Sequence, residues 1–209
     1  MRWTRGGAAW AIDRGAGPGA GRMRVPMSNI SADTPRIVVV GSSCAGKTTF
    51  AGALSAARGC ARIELDELFW GPDWEPRPPA EFRRRVSEAA GGDRWVAAGN
   101  YSLARHLLWP RATTIVWLDF SFPRVLGRAL RRTLRRCATR EPLFHGNRES
   151  WRRSFLSRES ILWWVVTTFA RRRREFEALQ ASGEHAHLAW HRVRDPREAE
   201  ALMRALREG

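Results

Sequence analysis

Lysine is all but missing from this chain. Lys47 is the only one among 36 basic residues in 209, and every other basic residue is arginine. Acidic residues are also few, 21 in all, which leaves a net charge of +15. No stretch approaches the roughly 18 apolar residues that a membrane-spanning helix needs, and the apolar run at 161–166 is short and flanked by charge. The three cysteines, Cys44, Cys60 and Cys137, have neither metal-ligand spacing nor an even count for a disulfide framework. That usage points to a reducing, cytoplasmic compartment. The five histidines make no paired-ligand pattern, which argues against structural zinc. There is no internal repeat, and no apolar segment of signal-peptide type at the start.

What is present suffices for one folded unit. A chain of 209 residues can bury a full core, and 44% hydrophobic residues is ordinary for a globular domain. Residues 1–34 are rich in Gly, Ala and Arg without a sustained period, so this extension is expected to be disordered, with 35–209 as the folded domain. Met23 and Met27 lie just before the ordered start, and either can be the true translation start. A charge of +15 suits nucleic acid or an anionic membrane. Arginine, alanine and glycine are spread through the whole chain, however, which reads as a compositional habit rather than one patch. Nucleic acid is therefore possible but not favoured, and no membrane partner is expected.

The informative stretch is 36–50. Residues 37–40 (Ile-Val-Val-Val) form an unbroken β-branched run, the pattern of a strand buried on both faces of a parallel sheet. Residues 41–48 then match G-x-x-x-x-G-K-[ST], and 49–58 have helical spacing. Strand, glycine loop and helix together are the context of a phosphate-binding loop. Glycines at 41 and 46 permit backbone angles that turn successive N–H groups inward, at the positive end of the following helix. Gly41, Ser42, Ser43, Cys44, Ala45, Gly46, Lys47, Thr48 and Thr49 are the candidate nucleotide-binding residues, with Cys44 at a position the motif leaves open. Lys47 suits the β- and γ-phosphates of ATP as a flexible point charge, and the Thr48 hydroxyl is placed to bind Mg²⁺.

Further strands are expected at 61–65, 95–98, 113–118 and 187–193, separated by helices at 80–90, 103–109, 123–136 and 158–179 and followed by a terminal helix from Pro196. Alternating strands and helices imply an α/β fold: a doubly wound, five-stranded parallel sheet flanked by helices. Asp66 is expected at the carboxyl edge of the sheet, where ligands bind in such folds. Residues 68–79 read as a proline-rich loop in which Trp70 and Trp74 either form platforms for a flat substrate or anchor the loop. Leu126, Leu130 and Leu134 recur every four residues and are expected to be the buried stripe of their helix. Residues 139–151 read as a loop, a natural short lid between two arginine-rich helices.

With these pieces placed, the chain resembles the adenylate-kinase-like group of P-loop kinases. It is more closely similar to the bacterial topology-modulation (flagellar-regulator-type) subfamily. The carriers are the glycine loop, Glu64-Leu65-Asp66 with Phe69-Trp70, Gly99-Asn100-Tyr101, Trp117-Leu118-Asp119, and Arg128 with Arg132. The two arginines keep the spacing of lid-hinge arginines in nucleoside monophosphate kinases, nine and thirteen residues beyond Asp119. The resemblance implies transfer of the γ-phosphoryl of ATP, with Mg²⁺, to a nucleotide or other small-molecule acceptor. Lys47, Asp66, Arg128 and Arg132 would be the catalytic residues and Thr48 the metal ligand. Asp66 would hold hydrated metal, act as base toward an acceptor hydroxyl, or cap the next turn. Asp119 is expected to be structural, as a cap of the following helix. Arg105 would clamp an acceptor phosphate or lie on the surface, Arg148 and Arg158 would close from the lid side, and adenine would lie near 194–196. Relatives usually carry an acidic residue before Gly-Asn-Tyr. Here Ala98 stands there, which puts metal handling in question. The alternative reading is an NTP-binding regulator with slow hydrolysis, associated with nucleic acid.

Overall fold

In a computed structural model, residues 35–139 and 160–208 are described. The expected disordered extension, and the expected lid beyond Thr139, lie outside these residues. Strands β1 (Arg36–Gly41), β2 (Ala61–Glu64), β3 (Trp95–Ala98), β4 (Thr114–Leu118) and β5 (Ala189–Val193) form one sheet in the order β2-β3-β1-β4-β5. Every pairing is parallel. Helices α1 (Lys47–Arg58), α2 (Leu65–Phe69), α3 (Pro79–Ala89), α4 (Ser102–Leu108), α5 (Phe122–Thr139), α6 (Ile161–Ala181) and α7 (Pro196–Glu208) complete the described fold. The α/β, doubly wound P-loop architecture read from the sequence is the one observed.

Strand alternation divides the core into two layers. Val38, Val40, Ile63, Trp95, Ala97, Ile115 and Trp117 face one way, onto Phe82 and Val86 of α3 and Leu108 of α4. Ile37, Val39, Val96, Ala98, Val116 and Leu118 face the other, onto Phe50 and Leu54 of α1, Val125 and Ala129 of α5, and Leu202 and Leu206 of α7. The long α6 serves both layers, with Val165 in the second and Phe176 in the first. Ser160 starts α6, its Oγ accepting from the Trp163 N–H at 3.1 Å.

Three local expectations are corrected. The strand expected at 61–65 stops at Glu64, and Asp66, still at the carboxyl edge of the sheet, lies in the first turn of α2. Residues 68–79 are not plain loop. After α2 come a 3-10 turn at Pro72–Trp74 and a bridge between Trp70 and Pro76, closed by Gly71 N–H to Glu75 C=O (2.8 Å) and Arg77 N–H to Phe69 C=O (2.9 Å). In α5 the buried stripe is Val125, Ala129 and Thr133, whereas Leu130 and Leu134 are more than 40% exposed. A one-residue offset rotates a helix by about 100°. The helix uses small side chains where it meets its neighbours, so the leucine periodicity marked the wrong face. In α6, likewise, Val165 is buried and Val166 exposed.

Asp119 does not cap α5. Its carboxylate, buried at the end of β4, accepts from Arg192 Nε at 2.8 Å and lies 3.2 Å from Arg173 Nη2. Arg192 also lies over the Trp117 ring at 4.1 Å and pairs with Glu177 at 2.7 Å. This cluster ties α6 and β5 to β4. Replacing Asp119→Ala leaves a partly buried guanidinium short of its acceptor, and is expected to cost about 2 kcal/mol in urea denaturation because both arginines still reach water. An unchanged midpoint would show that the cluster is not structural.

Candidate active site

The glycine loop joins the end of β1 to the start of α1 at the carboxyl edge of the sheet. Gly41 has φ 142° and Gly46 φ 99°, both in the region that side chains avoid. A Cβ at Gly41 would stand 2.5 Å from the Leu118 carbonyl oxygen, so only glycine fits there. Cys44 also takes a left-handed angle, φ 63°, between half-buried Ser43 and fully buried Ala45. Gly46 caps α1 without a side-chain acceptor for its first-turn amides. Those amides and the helix dipole make a cradle for anionic oxygens.

Lys47 Nζ turns back onto this loop, donating to the carbonyls of Gly41 and Ser42, both at 3.1 Å. Burial pushes its pKa down, and the negative charge of Asp66 opposes that shift. Thr48 and Thr49 are exposed at the start of the helix. Arg128 reaches the loop from α5, with Nη1 2.8 Å from the Ala45 carbonyl oxygen and its guanidinium over the Phe120 ring at 4.8 Å. Desolvation lowers its pKa. Arg132, one turn on, is close enough to Lys47 to disfavour the charged ammonium, and its buried Nε has no partner among the described residues. The structure therefore brings Lys47 and Arg128 onto the loop, with Arg132 near Lys47.

Two carboxylates lie near Lys47. Asp66 accepts from the Tyr101 hydroxyl at 2.7 Å. Burial, then the Asp66 charge, push the Tyr101 pKa up, so the phenol stays a neutral donor. The second carboxylate is Glu64, which the sequence reading named only as part of Glu64-Leu65-Asp66 and not as a site residue. It is only 5% exposed, its Oε2 has no partner among the described residues, and the Thr48 side chain lies close by. Burial pushes its pKa up to about 7, and the nearby Thr48 side chain opposes that shift. In the parallel register Glu64 lies directly beside Ala98. An acidic side chain thus stands one strand over from position 98. The available signal was an acidic residue closing the strand Ala-Arg-Ile-Glu, next to buried Ile63.

A nucleoside triphosphate with Mg²⁺ fits these residues. The first-turn amides of α1, which Gly46 leaves without a side-chain acceptor, offer donors to the phosphate oxygens. Magnesium keeps several waters and takes one or two carboxylates with phosphate oxygens, and the Thr48 hydroxyl and the unpartnered oxygen of Glu64 are hard donors of that kind. No group of three or more His, Cys, Asp or Glu residues forms a separate metal site among the described residues.

Arg105 is held by Glu175 at 2.6 Å and lies over Trp109 at 5.0 Å. Trp70 and Trp74 meet edge to face at 5.9 Å, and Trp70 packs on Phe69, which contacts Phe82 and Tyr101. Both tryptophans thus pin their loop. Near 194–196, Asp195 caps α7 by accepting from the N–H groups of Arg197 (2.8 Å) and Glu198 (3.0 Å). Arg148 and Arg158 lie outside the described residues.

The raised Glu64 pKa fixes a sign. Below the ordinary value of 4.5 the residue is protonated whether the chain is folded or not. As pH rises from there to about 7, the unfolded chain releases the proton first, so stability falls and then levels off. The ligand-free wild type should lose on the order of 3 kcal/mol between pH 4.5 and 8 relative to Glu64→Gln. Parallel urea-denaturation profiles for the two proteins would remove the basis for a strained carboxyl here.

No family model matches the chain, and no curated protein does. Among solved structures, similarity is found to a gluconokinase from Sinorhizobium meliloti 1021, with 19% identity, 84% of this chain and 94% of that chain covered, and a TM-score of 0.46. A shikimate kinase from Acinetobacter baumannii, in complex with shikimate, gives 17%, 83%, 90% and 0.46. A sugar kinase from Janibacter sp. HTCC2649 gives 20%, 83%, 94% and 0.48.

Proposed function

We propose that the protein is an ATP-dependent phosphotransferase of the adenylate-kinase-like kind, moving the γ-phosphoryl group of ATP to a small-molecule acceptor. The observation that carries this reading is the approach of Lys47 and Arg128 to a glycine loop, with Arg132, Glu64 and Asp66 near Lys47. A pure nucleotide-binding module needs the loop and its lysine. It does not need two further cations and two carboxylates around the same point.

The chemistry follows from positioning and charge. Loop amides hold the phosphates, and Lys47 exchanges the Gly41 and Ser42 carbonyls for phosphate oxygens. Arg128 and Arg132 then oppose the charge that spreads over the transferring group. Thr48 and Glu64 would hold Mg²⁺, which when bound neutralises phosphate charge and fixes the phosphate geometry. Asp66, oriented by Tyr101, is placed to take a proton from, or hold, an acceptor hydroxyl. A cytoplasmic location accords with the cysteine usage, and the topology-modulation subfamily is the relationship we propose on the motifs. The acceptor class spans nucleotides and other small hydroxylated molecules.

The test is ADP release from Mg·ATP across a panel of nucleoside monophosphates, nucleosides and hydroxylated metabolites. One panel member should raise turnover. Lys47→Met should abolish it, and Arg128→Ala or Arg132→Ala should lower kcat about 100-fold, or roughly 3 kcal/mol each. Slow hydrolysis indifferent to every acceptor, together with DNA binding that weakens steeply with salt, would instead establish the regulator reading.

A further inference from the structure

The turn after β3 reaches two ways. Tyr101 points its hydroxyl to Asp66, whereas Asn100 turns to the glycine loop. The Asn100 Nδ2 donates to the Gly41 carbonyl at 2.5 Å, and its Oδ1 accepts from the Gly41 N–H at 3.2 Å. The backbone ladder between β1 and β3 runs as far as Val39 and Ala98, with Gly99 N–H on the Val39 carbonyl at 3.2 Å. Beyond that rung a side-chain amide replaces the peptide. Gly99 makes this possible: it has φ 147°, and a Cβ there would stand 2.6 Å from Leu65 Cβ.

The Gly41 carbonyl is therefore shared. It accepts from Asn100 Nδ2 and from Lys47 Nζ, which uses both of its lone pairs. Gly41 is buried, so a carbonyl stripped of both donors would pay a desolvation penalty. The other acceptor of Lys47, Ser42, belongs to a half-buried residue that water can reach.

We infer that Asn100 is a positioning residue of the phosphate loop. By holding both polar groups of Gly41 it fixes the loop's entry, and it lets the Lys47 ammonium leave for a phosphate without stranding a buried acceptor. The inference rests on the phosphate-binding reading above. Without Asn100 the Gly41 carbonyl depends on Lys47 alone, and an incoming phosphate must break that bond uncompensated.

The experiment is calorimetric titration of Mg·ATP and of inorganic tripolyphosphate into wild type, Asn100→Ala, Asn100→Ser and Val86→Ala. The last is a core truncation in α3, remote from the loop, that serves as a stability control. Both Asn100 variants should bind both ligands about tenfold more weakly, by similar factors, since the lost interaction acts on phosphate rather than on the nucleoside. Val86→Ala should stay within about twofold of wild type despite its lower thermal midpoint. Should Asn100→Ala not fold, Asn100→Ser, which keeps a hydroxyl but cannot span both groups of Gly41, decides alone. Asn100 variants that bind as well as Val86→Ala overturn this inference and leave the kinase reading standing. A wild type that binds neither ligand overturns both.

Discussion

Where the phosphate loop begins is set by one close approach. Gly41 pairs in register with Leu118, and its Cα faces the Leu118 carbonyl across a gap that no side chain can enter. The chain must leave β1 there with a positive φ, and every later position in the loop inherits that direction. The Gly41 carbonyl then becomes the anchor for Lys47, and the Ala45 carbonyl the anchor for Arg128. A backbone constraint at the core of the sheet thus places cations that belong to two different helices.

Gathering like charges is costly, and the surroundings show how that cost is held down. Lys47 and Arg128 both have pKa values lowered by desolvation, and each sits on a loop carbonyl. Asp66 and Glu64 supply opposing charge from α2 and the end of β2. Those two carboxylates in turn crowd each other. Asp66 settles against a phenol, and Glu64, more deeply buried, is left with a pKa near neutrality. The site is an array of unmet charge, which a polyanion carrying a divalent cation would satisfy in both signs at once.

The parts of this arrangement that were legible in the sequence are those set by local backbone demands. The glycine spacing, the β-branched strand before it and the helix after it are requirements of one continuous stretch. The doubly wound sheet followed from the alternation of such stretches. Arg128 and Arg132 were legible only through the spacing shared with the family the chain resembles, and the approach of Arg128 to the loop comes from the packing of α5. Glu64 and Asn100 were not legible as site residues, because what gives them meaning is strand register: Glu64 beside Ala98, and Asn100 one rung past the end of the ladder. The leucines of α5 misled for a related reason. Periodicity gives the repeat of a helix but not its phase, and here the helix lies close against its neighbours through Val125, Ala129 and Thr133.

The solitary lysine has a consequence for how this protein can be handled, by a cell or by a chemist. A typical chain carries amines scattered over its surface, where acylation or tagging does no harm. Here the only side-chain amine is the one seated in the phosphate loop. A lysine-directed reagent or enzyme therefore has one side-chain amine to find in the whole chain, and it lies at the start of α1, turned onto the carbonyls of Gly41 and Ser42.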